Sequence, residues 1–248
     1  MKRLNELLKG MGLIIIVWYI LALVLQHPVI PLPHKVFERL IISTKDKDLY
    51  THLFSSFYRV LVGSIIALAV GLPLGIISGK SRKADAIISP MLYLLYPLPK
   101  IAFLPVFMVL LGIGNFSKIA LIATIILFPT AISIRDGIKE VYREYQMLAS
   151  AFHLTKKELY IHILLPGILP RIFSSLRITL GISLSVLFIS ENFATTTGLG
   201  YYIMNNWVMA NYIGMYVGIV VLGLLGLILY VFLEQAEAKL IPYRTDNL

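Results

Sequence analysis

The sequence predicts an all-α integral membrane protein with six transmembrane helices, on three grounds: its composition, its long uncharged runs and the placing of its basic residues. Of 248 residues, 58% are hydrophobic and 14% charged, and the mean hydropathy is +0.83. Soluble domains run at roughly 25% charged residues, so this chain belongs in a bilayer. Six crossings and their connections occupy residues 1–248 as a single membrane domain. The net charge of +9 arises without any basic run interleaved with aromatics, which argues against nucleic acid and for basic cytoplasmic loops. The absence of cysteine excludes disulfides, thiolate nucleophiles and zinc sites built on Cys.

The first predicted span, 10–26, follows Lys2, Arg3 and Lys9 and ends in Gln26-His27-Pro28. It lacks the small-residue cleavage site of a signal peptide and reads as a membrane helix. Residues 27–58 are polar and punctuated by proline, and predict a loop with at most one short amphipathic helix. The second span, 60–79, is uncharged and as a helix would rise roughly 30 Å, the thickness of the hydrocarbon. Gly71, Gly75 and Gly79 recur every four residues, which puts small residues on one face for close helix packing. The stretch Gly75-Ile76-Ile77-Ser78-Gly79-Lys80-Ser81 has the look of a phosphate loop, but three residues separate its glycines where four are needed. ATP is therefore not assigned to this chain.

Residues 86–117 are uncharged except for Lys100 and would make a helix of about 48 Å, too long for one crossing of a ~30 Å core. Pro97 and Pro99 must break it, giving one broken span at 86–111. Spans 119–134, 174–190 and 213–233 complete the set. With both termini cytoplasmic, 14 basic residues fall inside and 5 outside, the asymmetry that sets membrane orientation.

The cytoplasmic loop 135–171 is patterned rather than featureless. Ile138, Val141, Tyr145, Leu148 and Phe152 recur at helical spacing and predict an amphipathic helix. Thr155-Lys156-Lys157-Glu158 then reads as a capping box, opening a second short helix that ends near Leu165, before Pro166. This helix-turn-helix is either a knob for a groove on a cytoplasmic protein or a helix lying on the lipid surface.

On these residues the chain resembles the permease subunits of ABC importers. Their cytoplasmic signature is Glu-Ala-Ala, three residues, Gly, nine residues, Ile, one residue, Leu-Pro. Aligned on Ile163-Leu164-Leu165-Pro166, it puts Met147-Leu148-Ala149 at the first triplet and His153 at the glycine. The Ile and Leu-Pro match, whereas the leading Glu and the Gly differ. Pro97-Leu98-Pro99-Lys100-Ile101-Ala102-Phe103-Leu104-Pro105, Gly112-Ile113-Gly114, Leu176-Arg177, Glu191 and Gly198-Leu199-Gly200-Tyr201 resemble the nitrate, sulfonate, taurine and bicarbonate branch over residues 50–235.

The resemblance implies a type I importer permease in the bacterial inner membrane. Two permeases, a homodimer or a mixed pair, form the pore, and two cytoplasmic ATPases carry ATP and Mg. An extracytoplasmic binding protein delivers a small anion or, in related permeases, a vitamin precursor. The coupling residues it implies are Met147, Leu148, Ala149, Phe152, His153, Leu154, Thr155, Lys156, Ile163, Leu165 and Pro166. The chain itself would bind no cofactor and catalyse no reaction.

For the substrate path, residues 192–212 are too polar for a membrane helix throughout, and Asn192, Thr195 and Asn205 offer neutral hydrogen-bonding groups. They read as a gating or docking loop, or as an interfacial loop with Tyr201, Tyr202 and Trp207 in the aromatic belt. Arg177 and Glu191 bracket the fifth span and would be about 21 Å apart on a continuous helix, so they cannot pair within it. Each is a path candidate, as is Lys100 beside the proline break. An ion-coupled secondary transporter needs carboxylates inside its spans, where only Glu191 is available at an edge. An intramembrane enzyme lacks its constellation: there is no His-Glu-x-x-His, no Gly-x-Ser-x-Gly and no paired Asp within a span.

Overall fold

This computed structural model describes residues 2–152 and 154–242, the side chains of 2–8, 146–151 and 156 excepted. Helices follow in the order α1 (Lys2–Leu25), α2 (Pro33–Ser43), α3 (Lys47–Lys80) and α4 (Arg82–Leu95), then a 3₁₀ turn (Lys100–Phe103) and α5 (Leu104–Leu111). Next come α6 (Asn115–Ala151), α7 (Lys156–Glu158), a π-helical turn (Leu159–Leu164), α8 (Leu165–Ser190), α9 (Leu199–Val208) and α10 (Tyr212–Leu240). Four helical stretches are long and apolar enough to cross a bilayer: Lys47–Lys80, Asn115–Tyr145, Leu159–Ser190 and Tyr212–Leu240. Arg82–Leu95 and Lys100–Leu111 form a further apolar pair bent by 89° at the Pro97 and Pro99 break. The apolar part of α1, Lys9–Leu25, is shorter than these.

Three expectations are corrected. Residues 47–58 are helix rather than loop, because α3 starts at Lys47. Its polar residues stay within the helix by bonding backwards: the Thr51 and Ser55 hydroxyls donate to the carbonyls four residues earlier, at 3.1 and 2.8 Å. The amphipathic stretch 138–151 is not a separate helix but the far end of α6. Nor does a helix end before Pro166, since the chain runs on from the π turn into α8. The Leu165 amide donates to the Tyr160 carbonyl five residues back, and this wider turn absorbs a proline that would otherwise cost a hydrogen bond and a clash.

The chain forms two compact units. The first comprises Met1–Ser56 and Glu191–Leu224. In it the Trp18 indole donates to the Pro31 carbonyl at 3.1 Å and stacks on Tyr216 at 5.2 Å, while the Tyr19 hydroxyl and His34 Nδ1 share a 2.7 Å hydrogen bond.

The second unit comprises Phe57–Ser190 and Leu225–Leu248. Here α3 lies so close to α6 that a Cβ at Gly71 would stand 3.3 Å from the Leu127 carbonyl oxygen, and one at Gly75 2.7 Å from that of Ala131. At Gly79 it would meet the Ile138 Cβ at 2.9 Å. Larger residues on that face would drive the helices apart. Ile134, Ile138 and Val141 of α6 form a core with Leu159, Leu164 and Ile168. Part of the apolar stripe expected to face a partner, Ile138 and Val141, is therefore interior.

Candidate functional site

The segment joining α6 to α8 is built on that core. Asp85, in the first turn of α4, ties down the second half of α6, the root of this segment: it accepts from Arg135 Nε at 2.6 Å and from Lys139 Nζ at 2.5 Å. The Lys80 ammonium lies 4.2 Å from the centre of the Tyr160 ring in the π turn. At the tip, the Thr155 amide donates to Glu158 Oε2 at 2.8 Å and the Glu158 amide to the Thr155 hydroxyl at 3.3 Å, completing the capping box. The Thr155 hydroxyl and amide hold the Glu158 carboxyl below the usual glutamate range. Leu154 and Ile163 pack against the core and Pro166 is partly buried, while Leu165 and Phe152 are exposed, Phe152 at 71%. Of the other sequence candidates, His153 lies outside the described residues, and so do the side chains of Met147, Leu148, Ala149 and Lys156.

A second polar construction lies in the first unit. Glu191, fully buried, accepts from the Ser56 hydroxyl at 2.9 Å and from the Gly200 amide at 2.8 Å. Ser56 in turn accepts from the Leu199 amide at 2.8 Å. His52 Nδ1 accepts from the Gly198 amide at 3.1 Å, with Asp48 3.3 Å from Nε2. Gly198 sits at φ +118° and its missing Cβ leaves the space that the Glu191 carboxyl fills. The start of α9 is thus pinned by α3. Asn192, with its Oδ1 buried and unbonded, and Thr195, whose hydroxyl donates to the Thr197 carbonyl at 3.2 Å, follow in the same loop. Asn205 lines a polar cleft of about 210 Å³ with Arg39, Asp46, Asp48 and His52.

Arg177 and Lys100 belong to the second unit. Arg177 is ion-paired with Glu237 of α10 and lies 5.9 Å from the Tyr230 ring. Lys100 donates to the Leu95 carbonyl at 2.7 Å and to that of Tyr96, capping the end of α4 with positive charge. In the same unit α6 and α8 border an open hollow of about 480 Å³, lined by Ser133, Arg171, Ser174, Ser175 and Thr179 together with Tyr96.

Ser56, His52 and Arg171 are not marked out by the sequence. Asp48, His52 and Ser56 recur every four residues, the signal of one helix face, but a polar stretch punctuated by proline masks that signal by reading as loop. Nothing in the sequence sets Arg171 apart from the other basic residues of its loop.

Long apolar helices, a capped turn standing on two of them and a hollow beside serine and threonine residues suit a membrane transport subunit. The family described as "Binding-protein-dependent transport system inner membrane component" matches residues 71–241, and the chain belongs to it. It is 31% identical over 235 residues to the taurine transport system permease protein TauC of Escherichia coli (strain K12), covering 92% of this chain and 86% of that protein. The putative aliphatic sulfonates transport permease protein SsuC of Bacillus subtilis (strain 168) is 29% identical over 247 residues, with 96% and 88% covered. Among solved structures, a chain of the methionine ABC transporter MetNI in inward-facing conformations aligns with a TM-score of 0.57 over 79% of this chain and 95% of its own. At 18% identity that likeness bears on the fold, which is the type I importer permease fold. The chain is the transmembrane permease subunit of an ABC importer.

Proposed function

We propose that this permease pairs with a second copy of itself and imports a small anion of the sulfonate, taurine or nitrate type. In this reading the chain crosses the inner membrane six times with both termini in the cytoplasm. An extracytoplasmic binding protein supplies the solute, and two ATPases, carrying ATP and Mg, dock on the segment 147–166. The permease does no covalent chemistry. Closure of the ATPases on ATP moves the two docking turns, and the pore exchanges inward-facing for outward-facing access.

The observation that carries this reading is the turn itself. Its base is tied by Asp85 to Arg135 and Lys139, its core is Ile138, Val141, Leu159 and Leu164, and its tip is closed by Thr155 and Glu158. A lever needs stiffness at the root and an apolar group outside, and Phe152 is that group. Continuous helix leads away from it on one side through α6, so a push at the tip is transmitted along a rigid element rather than lost in a loop.

The test is co-purification from the native membrane in mild detergent, followed by ATP-driven uptake in liposomes with the binding protein supplied on the extracytoplasmic face. A soluble ATPase at near-equal amount and ATP-dependent accumulation of taurine, ethanesulfonate or nitrate are expected. A chain that comes out alone and transports along an ion gradient without ATP would overturn the reading.

A further inference from the structure

Arg171 and Arg177 both project from α8, and their surroundings differ. Arg177 is held by Glu237, whose side chain is 12% exposed. Arg171 pairs with Glu140 at 2.5 Å, but the two side chains are 38% and 52% exposed, so water screens the pair and the partner is exchangeable. Gly137 of α6 makes room for the stem of Arg171: a Cβ there would come within 2.7 Å of its Cδ.

Arg171 belongs to the wall of the 480 Å³ hollow, a volume within the roughly 300–1,000 Å³ usual for small-molecule sites. Among the described residues of that wall Arg171 is the one charged group, and no carboxylate lines it. The remaining polar residues include Ser133, Ser174, Ser175 and Thr179, with Ser174 exposed and the Thr179 hydroxyl donating to the Ser175 carbonyl at 2.9 Å. The Ser133 hydroxyl reaches the Arg171 carbonyl only at 3.5 Å, and those of Ser175 and Thr130 stand 3.4 Å apart, so both can turn to a ligand at little loss. One cation with neutral donors in an apolar setting attracts an anion, and the flat fork of arginine fits two oxygens of an oxoanion at once.

We propose that this hollow is an anion station on the transport path, in which Arg171 exchanges Glu140 for a sulfonate-type oxoanion and the Ser174 and Ser175 hydroxyls take its remaining oxygens. The inference rests on the anion reading above and assigns it to particular groups. Sulfonates are ionised at all physiological pH values, so the site needs a fixed charge and no acid or base. Glu140 serves as the resident counter-ion, which keeps the guanidinium paired when the station is empty.

The chain has no cysteine, so Ser174→Cys introduces the permease's single thiol. In the assembled transporter that thiol is labelled with two methanethiosulfonates of similar size, one ending in a sulfonate and one in a trimethylammonium, and the labelled peptide is quantified by mass spectrometry. Adding Arg171→Gln should lower the sulfonate-to-ammonium rate ratio by about tenfold, and adding Glu140→Gln should raise it, because one fixed charge is lost near the thiol in each case. Ethanesulfonate should slow labelling, whereas ethyl methyl sulfone, of like shape and no charge, should not. Arg171→Lys, which keeps the charge and loses the fork, should keep the ratio and lose most of the protection.

A ratio that ignores both Arg171→Gln and Glu140→Gln would overturn the proposal, as would equal protection by the sulfone. If Arg171→Gln fails to assemble, Glu140→Gln and Arg171→Lys still decide it. Selective protection without ATP-driven sulfonate uptake would support the station and sink the substrate reading. Uptake with an unchanged labelling ratio would do the reverse.

Discussion

Glu191 and Glu158 do the same chemical work in opposite settings. Each carboxylate accepts a backbone amide and a hydroxyl, Glu191 from Gly200 and Ser56, Glu158 from Thr155 alone. Glu191 is fully buried and its hydroxyl partner is 135 residues away, whereas Glu158 is exposed and its partner lies three residues back. A buried carboxylate has no water to fall back on, so each bond is obligatory and the clamp fails as a whole. At the exposed turn water replaces what is lost, and the construction degrades by degrees. An obligatory clamp suits a loop that must keep one shape, and a locally closed turn suits a surface that meets a partner.

The largest effect should come from Glu191→Ala. It strands the Ser56 hydroxyl and the Gly200 amide in the interior, and a loss of about 3 kcal/mol is expected as a lowered unfolding midpoint in detergent. Glu191→Gln keeps an acceptor and should lose about half of that. Equal stability of both variants with the parent would break the comparison. Gly198→Ala tests the same clamp without removing a polar group. At φ +118° and with the Glu191 carboxyl in the way of its methyl, it should cost about 2 kcal/mol by the same assay.

At the turn, Phe152→Asp should leave insertion and folding intact and weaken ATPase retention by about 30-fold, the loss of one interface anchor of about 2 kcal/mol. Unchanged retention would mean that Phe152 lies on lipid. The smallest effect belongs to Thr155→Ala, which removes the cap and should cost about 1 kcal/mol, read as faster amide exchange at residues 156–159.

That last difference should depend on pH in a definite sense. The Thr155 hydroxyl, with its amide, holds the Glu158 carboxyl below the usual range, so the box contributes fully above that range and is lost as pH falls through the lowered value. The exchange difference between parent and Thr155→Ala should shrink in acid and stay constant from neutral pH upward. A difference that grew in acid would contradict the assignment.

Features that depend on near neighbours in the chain are legible in the sequence. The capping box needs only Thr155 and Glu158, the broken helix only Pro97 and Pro99, and the glycine face only the four-residue spacing of Gly71, Gly75 and Gly79. Hydropathy over 18 or more residues reports lipid whatever the fold, because every backbone group in hydrocarbon must be bonded within its own helix. The start of α3 is not legible in this way: His52 and Ser56 look like loop residues by polarity, and only their bonds to Gly198 and Leu199 explain why a helix carries them inward.

Sequence alone determined the class of protein and the apolar runs, which are sums of hydropathy along the chain, and the local breaks and the capped turn, which are settled within about one or two helical turns. The tertiary structure decided the rest. It turned Ile138 and Val141 into core rather than docking surface, carried the chain past Pro166 on a π turn, gave Arg177 to Glu237 and left Arg171 half-exposed beside a hollow. Each of those outcomes depends on which side chain arrives from a distant segment, and a charge or an apolar group reads the same in one dimension whether its partner is protein, water or lipid.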